Sequence, residues 1–320
     1  MKLKNIILSA VPVLAAMMSC SDWTETRPVD YGLGASSTVD FEALRAFKSG
    51  EHRIVMAGMR GTSGYPSSRG YRPLAMPDSV DYICFEDYEE LHSEIIKEIA
   101  EVRSLKGTRS IGVVGYPDIE ALWTAEEDRR AENGLPEGTA DEFAAFVRKR
   151  CSLLLEACDR AGMDGVEAWY IGNLATATAK AGQAAFLETI SGWHRDNPDK
   201  EMFFKGYAFN VADKSFLEAC RYIIISAEGN VTPAEMRLAV KLQCSNGVPV
   251  DRMVMEVTVP STEEPDIQTG ATPEQCASWI LTPEKDFEKV GLSIRNASDE
   301  YFLSHGGFPM TAAAIRILNE

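Results

Sequence analysis

The sequence is poor in several residue classes, and each shortage narrows its chemistry. Histidine occurs only four times in 320 residues, at positions 52, 92, 194 and 305. His92 and His194 fall in helical stretches, His52 precedes the first strand-like run, and His305 stands beside a glycine pair. So scattered, they read as surface residues rather than as a general base or a metal site. Cysteine occurs seven times, with no CxxC and no Cys/His cluster at metal-ligand spacing. No metal and no cofactor is expected. A G-x-S-x-G elbow is missing, and the stretch Met59-Arg60-Gly61-Thr62-Ser63-Gly64 is neither a P-loop nor a dinucleotide fingerprint. Internal repeats and low-complexity tracts are also lacking.

Positive charge is scarce. Thirty-two Lys and Arg face 48 Asp and Glu, a net charge of −16. Nucleic acid and anionic lipid surfaces are therefore poor partners, while a neutral partner such as a glycan is not excluded. Long hydrophobic runs are scarce as well. An apolar run with no charge covers residues 6–18, short of the roughly 20 residues a membrane span needs. It follows Lys2 and Lys4 and ends at Ser19-Cys20, the order of a secretory signal. Met17-Met18-Ser19-Cys20 resembles a bacterial lipobox, with Met where Leu is usual three positions before the Cys. The expectation is a signal peptide over 1–19, a lipidated Cys20, a polar Gly/Ser/Thr-rich tether over 20–38, and one folded domain over 39–320. Losing the signal with its two lysines takes the mature net charge to −18. Contact with a membrane is expected through the lipid alone. Ser21-Asp22 resembles a surface-export signal, so the lipoprotein is expected on the outer membrane, at the cell surface or the periplasmic face.

What the folded part contains is an alternation. Strand-like apolar runs occupy 53–58, 81–85, 109–115, 165–171, 202–207, 222–227, 252–259 and 290–295, as expected for parallel strands covered on both faces. Helical patterns separate most of them. Residues 40–48 and 88–105 carry apolar stripes that end near Gly50 and Gly107. Thr139-x-x-Glu142 opens a helix that runs to Gly162, and Thr232-Pro233 opens another. The stretch 301–318 closes the chain, broken at Gly306-Gly307. Eight strands alternating with helices in one domain of this size predict an α/β fold, a single (β/α)8 barrel. The remaining cysteines, 84, 151, 158, 220, 244 and 276, read as small core residues. Cys151 and Cys158 are about 10 Å apart along a helix, too far to pair.

The segment 161–171, Ala-Gly-Met-Asp-Gly-Val-Glu-Ala-Trp-Tyr-Ile, resembles the fourth-strand signature of glycoside hydrolase family 18, Asp-Gly-x-Asp-x-Asp-x-Glu. This is the family of chitinases and endo-β-N-acetylglucosaminidases. The stretches 76–85, 21–30 and 300–319 are similar to members from Bacteroides. The resemblance implies the same barrel and a partner containing N-acetylglucosamine. It also exposes a departure. Asp164 is kept, Glu167 stands for the second Asp, Trp169 for the third, and Ile171 for the catalytic Glu. In the family, that Glu protonates the leaving sugar oxygen, and the Asp two residues earlier orients the substrate's own acetamido nucleophile. Ile cannot donate a proton, and Trp cannot steady a positive intermediate with a carboxylate. Glu167 lies four residues deeper, about 13 Å along the strand. Glu228 and Glu86 are the candidates for a relocated acid. Asp164 is expected to be structural, and Trp169 to fill the barrel or stack on a sugar.

Topology places further residues at strand ends, where barrel sites form: Met59, Arg60, Tyr116, Asn173, Tyr207, Asn210, Asn230, Arg295 and Asn296. Of these Arg60, Tyr116, Tyr207, Asn173, Asn210 and Arg295 join Trp169 and Glu228 as candidate ligand contacts. The expected activity is glycan binding without catalysis. An active hydrolase with a moved acid, or a structural partner of outer-membrane glycan-uptake proteins, are the alternatives.

Overall fold

A computed structural model describes residues 39–244 and 247–319. The expected signal peptide, Cys20 and the expected tether lie outside the described residues. Eight strands close a barrel in chain order: β1 (Ile54–Arg60), β2 (Tyr82–Glu86), β3 (Arg109–Gly115), β4 (Gly165–Tyr170), β5 (Glu201–Gly206), β6 (Tyr222–Ser226), β7 (Met253–Val257) and β8 (Lys289–Ile294). Neighbouring strands are parallel throughout. Each expected strand is present, within a few residues at its ends.

The helices are α1 (Phe41–Ser49), α2 (Ser93–Lys106), α3 (Tyr116–Glu132), α4 (Ala140–Arg160), α5 (Ala177–Asp196), α6 (Ser215–Ala219), α7 (Pro233–Gln243), α8 (Pro273–Ile280), α9 (Ala297–Leu303) and α10 (Pro309–Asn319). The sequence explains most of their starts. Thr139, Thr232 and Thr272 each form a full capping box with the Glu or Gln three residues on, a device worth about 1 kcal/mol per cap. The apolar stripe over 88–105 predicts a helix starting at Tyr88, but α2 starts five residues later. His92 caps it instead, accepting from the Glu94 N–H at 3.2 Å. Tyr88 packs as part of the β2–α2 loop, which the left-handed Asp87 (φ 54°) turns. At the C-terminus, His305 (φ 57°) and Gly306 (φ 105°) separate α9 from α10, where the glycine pair marks the break.

Period-two alternation sorts each strand's side chains between two cores. Val166, Ala168 and Tyr170 of β4 face the helices, where Cys151, Cys158 and Phe186 meet them. Inside the barrel lie Ile54, Met56, Tyr82, Cys84, Ile111, Val113, Phe203, Ile224 and Val254, with Trp169 partly buried against them. Tyr82, Phe203 and Tyr222 stack edge-on at 5.0–5.9 Å near the N-terminal mouth. The six cysteines of the folded part are free thiols, five buried and Cys244 half-buried. Among the described residues no helix is long and apolar enough to cross a membrane.

The N-terminal mouth is closed by charge pairs. His52 is no surface residue: its Nε2 lies 2.9 Å from Asp81, with little of the side chain exposed. The hydrogen bond to Asp81 raises its pKa against the pull of burial. Asp164 closes the same end, accepting from Ser110 N–H at 2.8 Å and pairing with Arg103 at 2.6 Å. Its carboxylate is spent on tying β4 to β3.

Candidate functional site

The C-terminal mouth is built on a polar layer within the barrel. Glu167 on β4, Lys205 on β5 and Glu256 on β7 all point inward and are almost fully buried. Lys205 Nζ lies 3.2 Å from Glu167 and 3.0 Å from Glu256. Burial opposes the Lys205 charge, but the two carboxylates overcome it and raise its pKa. One cation cannot neutralise two acids, and Glu167 carries the excess. Burial, with Glu256 adding to it, raises the Glu167 pKa despite Lys205. Glu167 is thus committed to the barrel's interior.

Trp169 sits one step further toward the mouth, opposite Lys205 in the β4–β5 register. The Lys205 ammonium lies 4.9 Å from its ring centroid and the Arg295 guanidinium 5.0 Å. Arg295, just beyond β8, also reaches Glu86 at 3.7 Å and Glu228 at 3.8 Å. Ile171 follows the last residue of β4 and is 40% exposed. Its backbone is positioned by β5. Gly206 adopts φ 116°, and a Cβ there would come within 2.1 Å of the Tyr170 carbonyl oxygen and 3.1 Å of Ile171 Cγ2.

Two cavities open at this mouth. One, of about 610 Å³, includes Trp169, Ile171, Lys205, Tyr207, Glu228, Asn230, Leu238, Leu242, Glu256 and Arg295 in its walls. The other, of about 480 Å³, includes Glu86, Asp87, Gly115, Asp118, Arg150, Trp169 and Arg295. A smaller one of about 220 Å³ joins Arg60, Glu86, Glu228, Arg295 and Asn296. A larger cavity, about 820 Å³, lies at the N-terminal mouth among paired charges. Barrel chemistry belongs at the opposite end, so its size does not make it the site. Among the described residues no group of three or more His, Cys, Asp or Glu is placed to hold a metal ion.

The mouth thus collects Trp169, Ile171, Tyr207, Glu228, Glu86, Asn230, Arg60 and Arg295, and other expected contacts fall elsewhere. Tyr116 is 1% exposed and packs on Tyr170, Phe143 and Phe186 beneath the helices. As the first residue of α3, it turns outward rather than into the mouth. Met59 is buried in the same outer core, on the helix-facing phase of β1. Asn173 is exposed in a loop, where its Oδ1 accepts from Ala175 N–H at 2.9 Å. Asn210 donates to the Gly172 carbonyl at 2.8 Å and accepts from Gln183, bracing two loops. Asn296 lines the smallest cavity with its amide engaged, since it both accepts from and donates to the Val259 backbone at 2.9 Å.

Asp118 and Lys205 were not among the expected site residues. Asp118 lies in the first turn of α3, after a glycine that leaves it room. A Cβ on Gly115 would fall 2.1 Å from Asp118 Oδ2 and 3.3 Å from Trp169 Cε3. Burial, followed by the nearby Asp87, pushes the Asp118 carboxyl above its ordinary range. The Gly-Tyr-Pro-Asp sequence at 115–118 carried the signal, a glycine at a strand end followed by an acidic residue in the first turn of a helix. Lys205 announced itself only as a charge inside the run Met-Phe-Phe-Lys-Gly-Tyr at 202–207.

The profile of glycoside hydrolase family 18, BT1044-like, matches residues 37–317. A search among curated proteins finds no match. Solved structures share the barrel. A glutamate-to-glutamine variant of BT1044 has 12% identity and a TM-score of 0.62, over 88% of this chain and 92% of that one. The endo-β-N-acetylglucosaminidase of Cordyceps militaris has 13% identity and a TM-score of 0.61, over 89% and 97%. A family 18 chitinase from Pseudoalteromonas aurantia has 13% identity and a TM-score of 0.52, over 83% and 100%. At such identities these likenesses speak for the fold alone, whereas the profile spans nearly the whole folded part, and the chain belongs to glycoside hydrolase family 18, in its BT1044-like group.

Proposed function

We propose that this barrel binds glycans containing N-acetylglucosamine and does not cleave them. The observation that carries this reading is the chemistry at the end of β4. Trp169 and Ile171 stand at the two positions where the family needs carboxylates, and Ile171 offers an exposed aliphatic surface to the cavity. Loss of general acid catalysis alone typically costs ~100- to 10,000-fold. The cavity that remains suits a sugar. Tyr207 and the branched side chains supply apolar faces, while Asn230, Ser226 and Glu228 supply hydroxyl partners. A double variant of the Cordyceps militaris enzyme, with an Asp and a Glu two positions apart changed to amides, was solved with fucosyl-N-acetylglucosamine-asparagine. Removing acids at that spacing left that protein's ligand site usable. The leader with Cys20 supports an exported, lipid-anchored form on the outer membrane.

The experiment is calorimetric titration of the folded domain, residues 39–320, with N,N′-diacetylchitobiose. Tyr207→Ala is expected to weaken binding by roughly tenfold, about 1.4 kcal/mol. Equal affinity in this variant removes the stacking role, and no binding by the unchanged domain favours the assembly-partner reading. A second reading, hydrolysis with a moved acid, is favoured by Asp118. Unlike Glu86 and Glu228, which face Arg295, it stands in the first turn of α3 near Trp169, in a setting that favours the protonated form. Release of glycan that is abolished by Asp118→Asn establishes that reading.

A further inference from the structure

The two carboxylates that hold Lys205 are not equivalent. Glu167 sits in the middle of β4 and is buried. Glu256 is the last residue but one of β7, and Lys205 the last but one of β5. The walls of the 610 Å³ cavity accordingly include Lys205 and Glu256 but not Glu167. Trp169 stands in the same walls, with the Lys205 ammonium 4.9 Å from its ring centroid. A buried ion pair thus lines the deep end of the cavity, and Glu167 braces it from within the barrel.

This pair has bonding capacity left over. An ammonium carries three donors, and Lys205 has two carboxylate neighbours, at 3.2 and 3.0 Å. Glu256 meets it through Oε2, and no hydrogen bond among the described residues takes up Glu256 Oε1. Charged groups make the stronger hydrogen bonds, and buried ones gain most from a partner. A donor beside an acceptor is complementary to a hydroxyl, whose single oxygen accepts and donates at once. An acetamido group fits it less well, because the N–H and C=O of a trans amide point in opposite directions.

We propose that the Lys205–Glu256 pair recognises one hydroxyl of the bound sugar, which accepts from Lys205 Nζ and donates to Glu256. The inference rests on the glycan-binding reading and adds to it two binding residues and a basis for specificity. A sugar that lacks this hydroxyl leaves both buried charges short of a partner, the situation in which a site rejects a deoxygenated ligand most strongly.

The test is calorimetric titration of the domain at pH 8 with N,N′-diacetylchitobiose and with its monodeoxy analogues. One analogue is expected to bind roughly tenfold more weakly than the parent sugar, the loss of a hydrogen bond to a charged group, and the others within about threefold. Glu256→Gln should weaken the parent roughly tenfold and bind that one analogue no worse than the parent. Glu167→Gln removes the other carboxylate of the same lysine, outside the cavity walls, and should keep both the affinity, within about twofold, and the discrimination. Equal losses in the two variants, or discrimination that survives Glu256→Gln, overturn the proposal, since the layer then acts on the ligand only through the fold. The analogue series on the unchanged protein decides the matter even where Glu256→Gln does not fold: analogues that all bind like the parent overturn the hydroxyl contact and leave glycan binding intact. If neither the disaccharide nor any analogue binds, the glycan-binding reading itself fails, and the hydroxyl contact with it.

Discussion

Lys205→Met tests the polar layer on which the site rests. Lys205 is almost fully buried and holds two buried carboxylates at 3.2 and 3.0 Å. Methionine fills similar volume, so the loss is electrostatic and not a cavity. Removing one partner of a buried ion pair typically costs 3–5 kcal/mol, because the other charge is left uncompensated. For a domain of this size, each kcal/mol lowers Tm by about 2 °C, so a drop of roughly 6–10 °C is expected by calorimetry. The pH dependence carries a sign. The folded-state pKa of Glu167 is raised, so its contribution is fully present below the unfolded carboxylate value and is lost as pH rises through the folded one. Without Lys205 both carboxylates are driven further up, and the variant's deficit should shrink on going from pH 8 to pH 5. Glu167→Gln should be close to neutral at pH 8, since it leaves Lys205 paired one-to-one with Glu256. A Lys205→Met variant with unchanged Tm, or with a deficit that grows toward acid, refutes the assignment of Lys205 as the charged keystone of the layer.

Three further outcomes follow from particular residues. Gly206→Ala puts a Cβ at φ 116° against the Tyr170 carbonyl, and should cost about 1–3 kcal/mol in denaturant unfolding. Trp169→Asp combined with Ile171→Glu should recover weak release of glycan from N-glycoproteins while either change alone recovers little, because the two groups act as a unit. Cys20→Ala should leave the protein uncleaved or free of the membrane; a mature-length acylated product in the membrane fraction contradicts the lipoprotein reading.

The eight strands were legible because each is a short apolar run, and parallel strands covered on both faces leave that mark. The helix starts at Thr139 and Thr232 were legible through their capping boxes. The start of α2 was not, because a histidine cap at His92 leaves no such signature, and Tyr88 continues the apolar stripe without being helical. The site was legible where strand phase decides it. Glu167 and Trp169 face inward and Ile171 stands at the mouth, as period two requires. It was not legible in the loops. Tyr116 follows β3 directly, yet the chain has already turned into α3, and the ring falls among Phe143, Tyr170 and Phe186. Asn210 and Asn173 have the chemistry to meet hydroxyls, but the backbone claims their amides first. His52 looked like surface because its partner, Asp81, is 29 residues away.

The central claim is a glycan site without a working acid at the end of β4. The most direct measurement incubates the domain with a glycoprotein bearing N,N′-diacetylchitobiose-linked glycans and follows both partners by mass spectrometry, alongside a binding isotherm for the same glycan. The account predicts a saturable isotherm with the glycoprotein mass unchanged after prolonged incubation. Free glycan appearing in proportion to the amount of domain added, and persisting when contaminating activity is removed, contradicts it.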